Sequence, residues 1–291
     1  MDTTKTALVL SGGGSLGAVQ AGMLEALTEA ELPVDLVIGA SVGALNAAFF
    51  AQNPTHQRAL ELAELWRGLK RKEVFPISLL TGIETFLLNR DYLVKPGALK
   101  QLIGHSVNYR RIEDAALPLH IVATDVLHGG EVLMSNGDLV SALLASTAIP
   151  LVFPQVARGG HLLVDGGVCD NTPIDAAVRL SATRVIVLPT GTPCAAQRPP
   201  RGLLALALHV LNLASMSQLD RDLARFATRA EIIVVPPLCP LDVSVFDFTK
   251  TAALIERSAT QTRQWLAEGG LQRNGPLDVP LAHHDRTRRA A

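Results

Sequence analysis

The sequence carries almost no net charge: 26 basic and 27 acidic residues over 291 leave a formal −1 at pH 7. No basic excess exists to meet a polyanion, so nucleic acid is not an expected partner. Cysteine is scarce, and Cys169, Cys194 and Cys239 are odd in number and without metal-ligand spacing. They read as small packing residues, which fits a reducing, cytoplasmic setting. No cluster of His, Asp or Glu has ligand spacing either, so neither a metal nor a cofactor is expected. The start of the chain lacks the order of a secretory signal, because Lys5 leads directly into the apolar residues 7–10 and then glycines. Long apolar runs are missing too. GLLALALHVLNLA, at 202–214, is interrupted by His209 and Asn212 and falls short of the ~20 residues that a membrane span needs. No transmembrane helix is expected, and internal repeats and low-complexity segments are absent.

What is present is ample apolar material, 48% of the chain, arranged as short β-rich runs alternating with longer helical stretches. Strands are predicted near residues 6–10, 34–38, 119–123, 184–188 and 231–235, with helices between them. That alternation predicts an α/β fold with a sheet covered on both faces. Residues 55–117 turn helical and irregular and read as an insertion over one edge of the sheet, within a single domain spanning 1–270. GGEVLMSNG at 129–137 reads as turn, strand, turn, followed by a helix over 139–148 that stops before Pro150. From Leu271 onward periodic apolar residues give way to Pro, Gly, His and Arg, so 271–291 reads as a mobile tail.

Two glycine-rich turns carry the chemistry. In LSGGGSLGAVQAG, at 10–22, Gly12, Gly14 and Gly17 match a dinucleotide fingerprint, but the same loop suits an oxyanion. A dinucleotide site needs an acid at the carboxyl end of the second strand to hold the ribose. Asp35 instead precedes the apolar run, and the run ends in Gly39-Ala40-Ser41-Val42-Gly43. This G-x-S-x-G pentapeptide suits a strained strand-to-helix turn with Ser41 at its apex, Gly39 and Gly43 making room, and the Val42 N–H facing a developing oxyanion. The Gly13 and Gly14 N–H groups are candidates to complete that oxyanion hole. The histidines are scattered through the insertion, strands, turns, an apolar helix and the tail. The better base for the serine is Asp165, which ends the short strand of HLLVDGG at 161–167.

GGGSLG, GASVG and DGG, in this order, together with ATD at 123–125, ASTAIPLVFPQV at 145–156 and VDGGVCDNTPI at 164–174, resemble the patatin-like phospholipase family over about residues 6–190. The resemblance implies a three-layer fold around a mostly parallel central sheet. It implies a Ser-Asp dyad in which Ser41 forms the acyl-enzyme, Asp165 is the base, and Gly12, Gly13 and Gly14 hold the oxyanion. The expected substrate is a lipid or other ester, met at a membrane surface, with no cofactor. The family loop usually carries Arg or Lys where this chain has Leu16, so Leu16 is either a specificity position or a packing residue. Acyl transfer to an alcohol through the same acyl-serine remains an alternative to hydrolysis. The apolar run at 203–213 reads as a buried helix, with a lid or membrane-docking surface as the other reading.

Overall fold

A computed structural model describes residues 4–76, 91–191, 202–239, 241 and 243–272. Strands β1 (Thr6–Leu10), β2 (Leu36–Ala40), β3 (Leu119–Asp125), β4 (Glu131–Met134), β5 (Val156–Arg158), β6 (His161–Asp165), β7 (Arg184–Leu188) and β8 (Glu231–Val234) form one sheet. Its order is β5-β6-β3-β2-β1-β7-β8, with β4 on β3. The five strands β3-β2-β1-β7-β8 run parallel; β4, β5 and β6 pair antiparallel. The sheet is therefore mixed. Continuous apolar runs such as TALVL and LVIGA, buried at every residue, are what a parallel strand covered on both faces requires.

Helices supply the two outer layers. On one face lie α1 (Gly17–Glu29), α2 (Val42–Ala51), α3 (His56–Gly68), the short α4 (Arg71–Val74), α5 (Gly97–Ser106), α6 (Leu139–Ser146) and α9 (Thr251–Ala267). On the other lie α7 (Ile174–Arg179) and α8 (Leu203–Phe226), packed through Ile174, Ala177, Leu219, Leu223 and Phe226. α3 shows how the sequence selects its buried stripe: Ala59, Leu62, Ala63 and Trp66 recur at helical spacing. Its first turn is capped by the Thr55 side chain, which accepts the Arg58 N–H.

Several expectations shift. β2 begins at Leu36 and runs through Gly39 and Ala40, because the parallel ladder to Ile121 and Val122 needs backbone rather than bulk. Asp35 instead accepts the Thr6 N–H at 2.7 Å. The described helices of 55–117 pack on α1, α2 and α6, over a face of the sheet rather than an edge. β5, only three residues between a proline and two glycines, was not legible in the sequence. Of the predicted tail, Gly270–Gln272 forms a 3-10 turn, and Leu271 accepts a hydrogen bond from Arg184 at 2.9 Å; the remainder lies outside the described residues. Cys239 is disulfide-bonded, so the three cysteines are not all plain packing residues and give no support to a reducing compartment. No helix among the described residues is long and apolar enough to cross a membrane.

Candidate active site

β2 ends opposite Val122 of β3, and β6 ends at Asp165 opposite Ala123, the next residue of the same strand. This meeting of strand ends brings a parallel and an antiparallel strand to one point. Ser41, directly after β2, has φ 54° and ψ −127°, an arrangement that costs a non-glycine residue about 1–3 kcal/mol. The strain is held by close packing on both sides. A Cβ on Gly43 would run into the Leu10 carbonyl and sit 2.7 Å from the Ser11 oxygen, and one on Gly39 would lie 2.5 Å from the Ala44 nitrogen.

The Ser41 hydroxyl donates to Asp165 Oδ2 at 2.7 Å. Asp165 is itself immobilised: Oδ1 accepts the Gly167 N–H at 2.8 Å, its carbonyl accepts the Thr124 hydroxyl at 2.8 Å, and its N–H donates to Ala148 at 3.0 Å. Burial pushes the Asp165 carboxyl up to about 6, against the opposing hydrogen bonds from Ser41 and Gly167. A carboxylate with that affinity is a far better acceptor for a serine proton than an exposed aspartate. Cys169, beyond the turn, is no competitor as a nucleophile, since burial pushes its thiol up to about 11.

Around the serine, three backbone donors are free and one is not. The N–H groups of Gly13, Gly14 and Val42 make no hydrogen bond among the described residues, and Val42 opens α2, whose dipole favours negative charge there. Gly14 has φ +59°, natural only for glycine, and a Cβ there would lie 2.6 Å from the Val245 carbonyl oxygen. The Gly12 N–H, by contrast, donates to the Asn171 carbonyl at 3.1 Å. Its expected place among the oxyanion donors is corrected: the first glycine anchors the loop, aided by Thr190, whose hydroxyl donates to the Gly12 carbonyl at 2.7 Å.

Leu16 is 1% exposed and belongs to the main apolar core, which is the packing reading of its departure from the family loop. The histidines mostly stay apart from the dyad. His56 bonds Thr28, His120 bonds Ser135, and His128 and His161 both bond Asp125. His161 and then His128 hold the Asp125 carboxyl well below the usual carboxylate range. Among the described residues His209 is the exception, lining the cavity beside Ser41 from α8.

Sequence reasoning missed Ser146. Its fully buried hydroxyl donates to the Val122 carbonyl at 2.6 Å and accepts the Ser41 N–H at 2.9 Å. It also missed the network in which Asn46 donates to Gln20 at 2.8 Å and to the Gly17 carbonyl at 3.0 Å while accepting the Trp66 indole N–H at 2.9 Å. For Asn46 the available signal was a polar residue within an otherwise apolar helix.

Two cavity lobes meet at Ser41. The inner lobe, a cavity of about 80 Å³, runs between α2, α3, α5 and α6 and is lined almost wholly by apolar side chains, among them Phe49, Trp66, Phe75 and Phe153. The outer lobe, about 340 Å³, holds the glycine loop, Asp165, Asn171, His209, Asn212 and Ser215. Neither is lined by Lys or Arg among the described residues.

This constellation, a serine elbow bonded to a buried aspartate beside a glycine loop on a three-layer α/β fold, defines the class. A family model described as patatin-like phospholipase matches residues 8–178, and the chain belongs to that family. Patatin-like phospholipase domain-containing protein 6 of Mus musculus is 32% identical over 188 residues, 64% of this chain and 13% of that protein. Neuropathy target esterase sws of Drosophila melanogaster is 30% identical over 188 residues, again 64% of this chain and 13% of the relative. The chain thus spans only a small part of the length of these relatives. Among solved structures, human GIVD cytosolic phospholipase A2 is similar with a TM-score of 0.54 at 11% identity, over 92% of this chain and 59% of that one. VipD from Legionella pneumophila is similar at 0.51 and 15% identity, over 91% and 67%. At these identities the likeness is one of fold.

Proposed function

We propose that the protein is a serine hydrolase of lipid esters that works through a Ser41–Asp165 dyad. The observation that carries the reading is the 2.7 Å hydrogen bond from the Ser41 hydroxyl to a buried carboxylate. Asp165 takes the hydroxyl proton as Ser41 Oγ attacks the ester carbonyl, and the oxyanion forms against the N–H groups of Gly13, Gly14 and Val42. As the tetrahedral species collapses, Asp165 returns the proton to the departing alcohol and leaves Ser41 acylated. Asp165 then takes a proton from water, the resulting nucleophile attacks the acyl carbonyl, and the carboxylic acid leaves as Ser41 regains its proton.

The lobes divide the substrate: the acyl chain lies in the apolar inner lobe and the alcohol portion in the more polar outer one. With no Lys or Arg on either wall among the described residues, no described cation offsets the desolvation of an anionic phosphate, which supports neutral esters and lysolipids over anionic diacyl phospholipids. The outer lobe has room for an acceptor alcohol, so product analysis with added glycerol separates acyl transfer from hydrolysis.

α8 is the surface that meets lipid. Its inward side, with Leu208, His209 and Asn212, lines the outer lobe, while Leu206, Val210 and Leu213 on its other side are 46%, 55% and 50% exposed. The expectation of a buried helix at 203–213 is corrected by these exposures. Val168 and Leu151, also exposed, stand beside the same mouth. Residues 203–219 contain no Lys, Arg, Asp or Glu, which matches an uncharged or zwitterionic lipid surface continuous with the pocket opening.

A fluorophosphonate probe tests the central claim. It should label the native protein at Ser41, and Ser41→Ala should lose both labelling and ester turnover; labelling at another serine, or turnover in the variant, refutes it.

A further inference from the structure

Asp125 closes β3, and its side chain is 4% exposed. His161 Nδ1 lies 2.6 Å and His128 Nδ1 2.9 Å from the same carboxylate oxygen, Oδ2. The other oxygen accepts the backbone N–H groups of Leu127 at 2.9 Å and His128 at 3.3 Å, which fixes the carboxylate plane. The only ion-pair partners of this buried carboxylate among the described residues are the two imidazoles; no Lys or Arg shares its charge. Both rings are open to solvent, at 78% and 45% side-chain exposure. One donor atom from each residue lies within 4.8 Å of the others. The sequence expectation of no ligand cluster is therefore corrected. Asp125 and His128 are three residues apart, but His161 enters from the start of β6, and no local spacing could show it.

We propose that Asp125, His128 and His161 form a binding site for a divalent transition-metal ion, with zinc the best match, separate from the Ser41 centre. Two imidazole nitrogens and one carboxylate oxygen are a common partial zinc set, with bonds of about 2.0–2.2 Å and a fourth position open to water. Copper and nickel ions take the same donors, whereas magnesium and calcium prefer oxygen ligands alone. On binding, each neutral ring carries its proton on Nε2, so that Nδ1 offers its lone pair to the metal in place of a hydrogen bond to Asp125. The ion then joins the turn at 125–130 to the first residue of β6, the strand that ends in Asp165. Asp125 already faces Leu163 in the β3–β6 ladder. The effect is a staple on the strand that carries the catalytic carboxylate, and it takes no part in the ester chemistry.

The test uses the full chain, stripped with chelator and titrated with zinc chloride by calorimetry and thermal melting. One equivalent should bind, and at about a hundredfold excess over Kd the melting temperature should rise by roughly 5 °C, while ester turnover of the stripped protein stays unchanged. His128→Ala and His161→Ala should each weaken binding at least ~10-fold, and replacing His283 and His284, the adjacent histidine pair of the sequence, should leave it intact. Cobalt supplies a second readout, because its visible absorption reports coordination by these ligands and should vanish in His128→Ala, a substitution at an exposed side chain that the fold tolerates. Absence of saturable zinc binding below about 100 μM, or binding and cobalt absorption that survive both histidine substitutions, would overturn the proposal.

Discussion

The two lobes that meet at Ser41 are built by different means. The inner wall is tied from several directions: Asn46 joins α1, α2 and the Trp66 ring of α3, and Phe75 packs on Phe153 and Phe246 with ring centroids 5.6 and 5.1 Å apart. The outer lobe, beside the glycine loop, Asp165 and residues 243–246, is walled by α8. The C-terminal part of α8 is anchored by Phe226, fully buried, whereas among the described residues its side chains reach the dyad turn through one long hydrogen bond, from the Ser215 hydroxyl to the Gly167 carbonyl at 3.4 Å. Close-packed walls hold reacting groups to a fixed geometry, whereas sparsely bonded elements open at small free-energy expense. The geometry at Ser41 thus rests on the packed side behind it and access on α8, so substitutions on the two sides should separate turnover from lipid engagement.

The largest effect is expected at the dyad itself. Asp165→Asn should lower kcat by at least ~100-fold, because an amide cannot take the serine proton. His209→Gln, on the outer wall of the same cavity, should change it much less; equal losses in the two variants would replace the dyad with a histidine mechanism. With the wild-type carboxyl at about 6, kcat should rise as pH increases through that value and level off above it. Stability should move the other way. Between about pH 4 and pH 6 the folded protein keeps a proton that the unfolded chain releases, so raising pH across that window lowers stability, by up to ~3 kcal/mol. Asp165→Asn removes this penalty and should melt above the wild type at pH 8. A lower melting temperature would show that the buried carboxylate is stabilising rather than strained.

A smaller loss is expected behind the serine. Ser146→Ala leaves the Ser41 N–H and the Val122 carbonyl without their bridge, at about 1–2 kcal/mol of stability. The turn that aims the nucleophile then relaxes, and kcat should fall about 10-fold with KM nearly unchanged. A KM effect alone would assign Ser146 to substrate binding.

These contrasts also explain what the sequence could reveal. The parallel strands, the GASVG elbow and Asp165 were legible because each depends on local pattern: an apolar run, then glycines at fixed spacing around a polar residue. Asn171 as the partner of the Gly12 N–H, and Ser146 as the partner of the Ser41 N–H, were not. Each lies more than a hundred residues from the group it satisfies, and only the meeting of β2 and β6 on β3 brings such residues together. Asp125 and His161, 36 residues apart, were likewise joined only by the pairing of β3 with β6. α8 misled for a different reason: a helix apolar all round normally signals burial on all sides, but this one lines the mouth of a cavity and leaves Leu206, Val210 and Leu213 exposed among the described residues.

That exposed side gives the smallest predicted effect and the sharpest test of the division between the walls. Val210 is 55% exposed, and seating it in a lipid surface would bury about half a side chain of apolar area, roughly 1 kcal/mol. Val210→Ser should therefore weaken binding to zwitterionic vesicles about fivefold, and reduce turnover of vesicle-borne substrate by a similar factor at subsaturating lipid. The dyad and the inner lobe do not sense this residue, so kcat/KM for a soluble, monomeric ester should remain at the wild-type value, as should fluorophosphonate labelling of Ser41. Equal losses on soluble and vesicle substrates would place Val210 in the catalytic geometry and dissolve the distinction between the two walls. Unchanged vesicle binding would move the lipid-facing surface away from α8 while leaving the Ser41–Asp165 chemistry untouched.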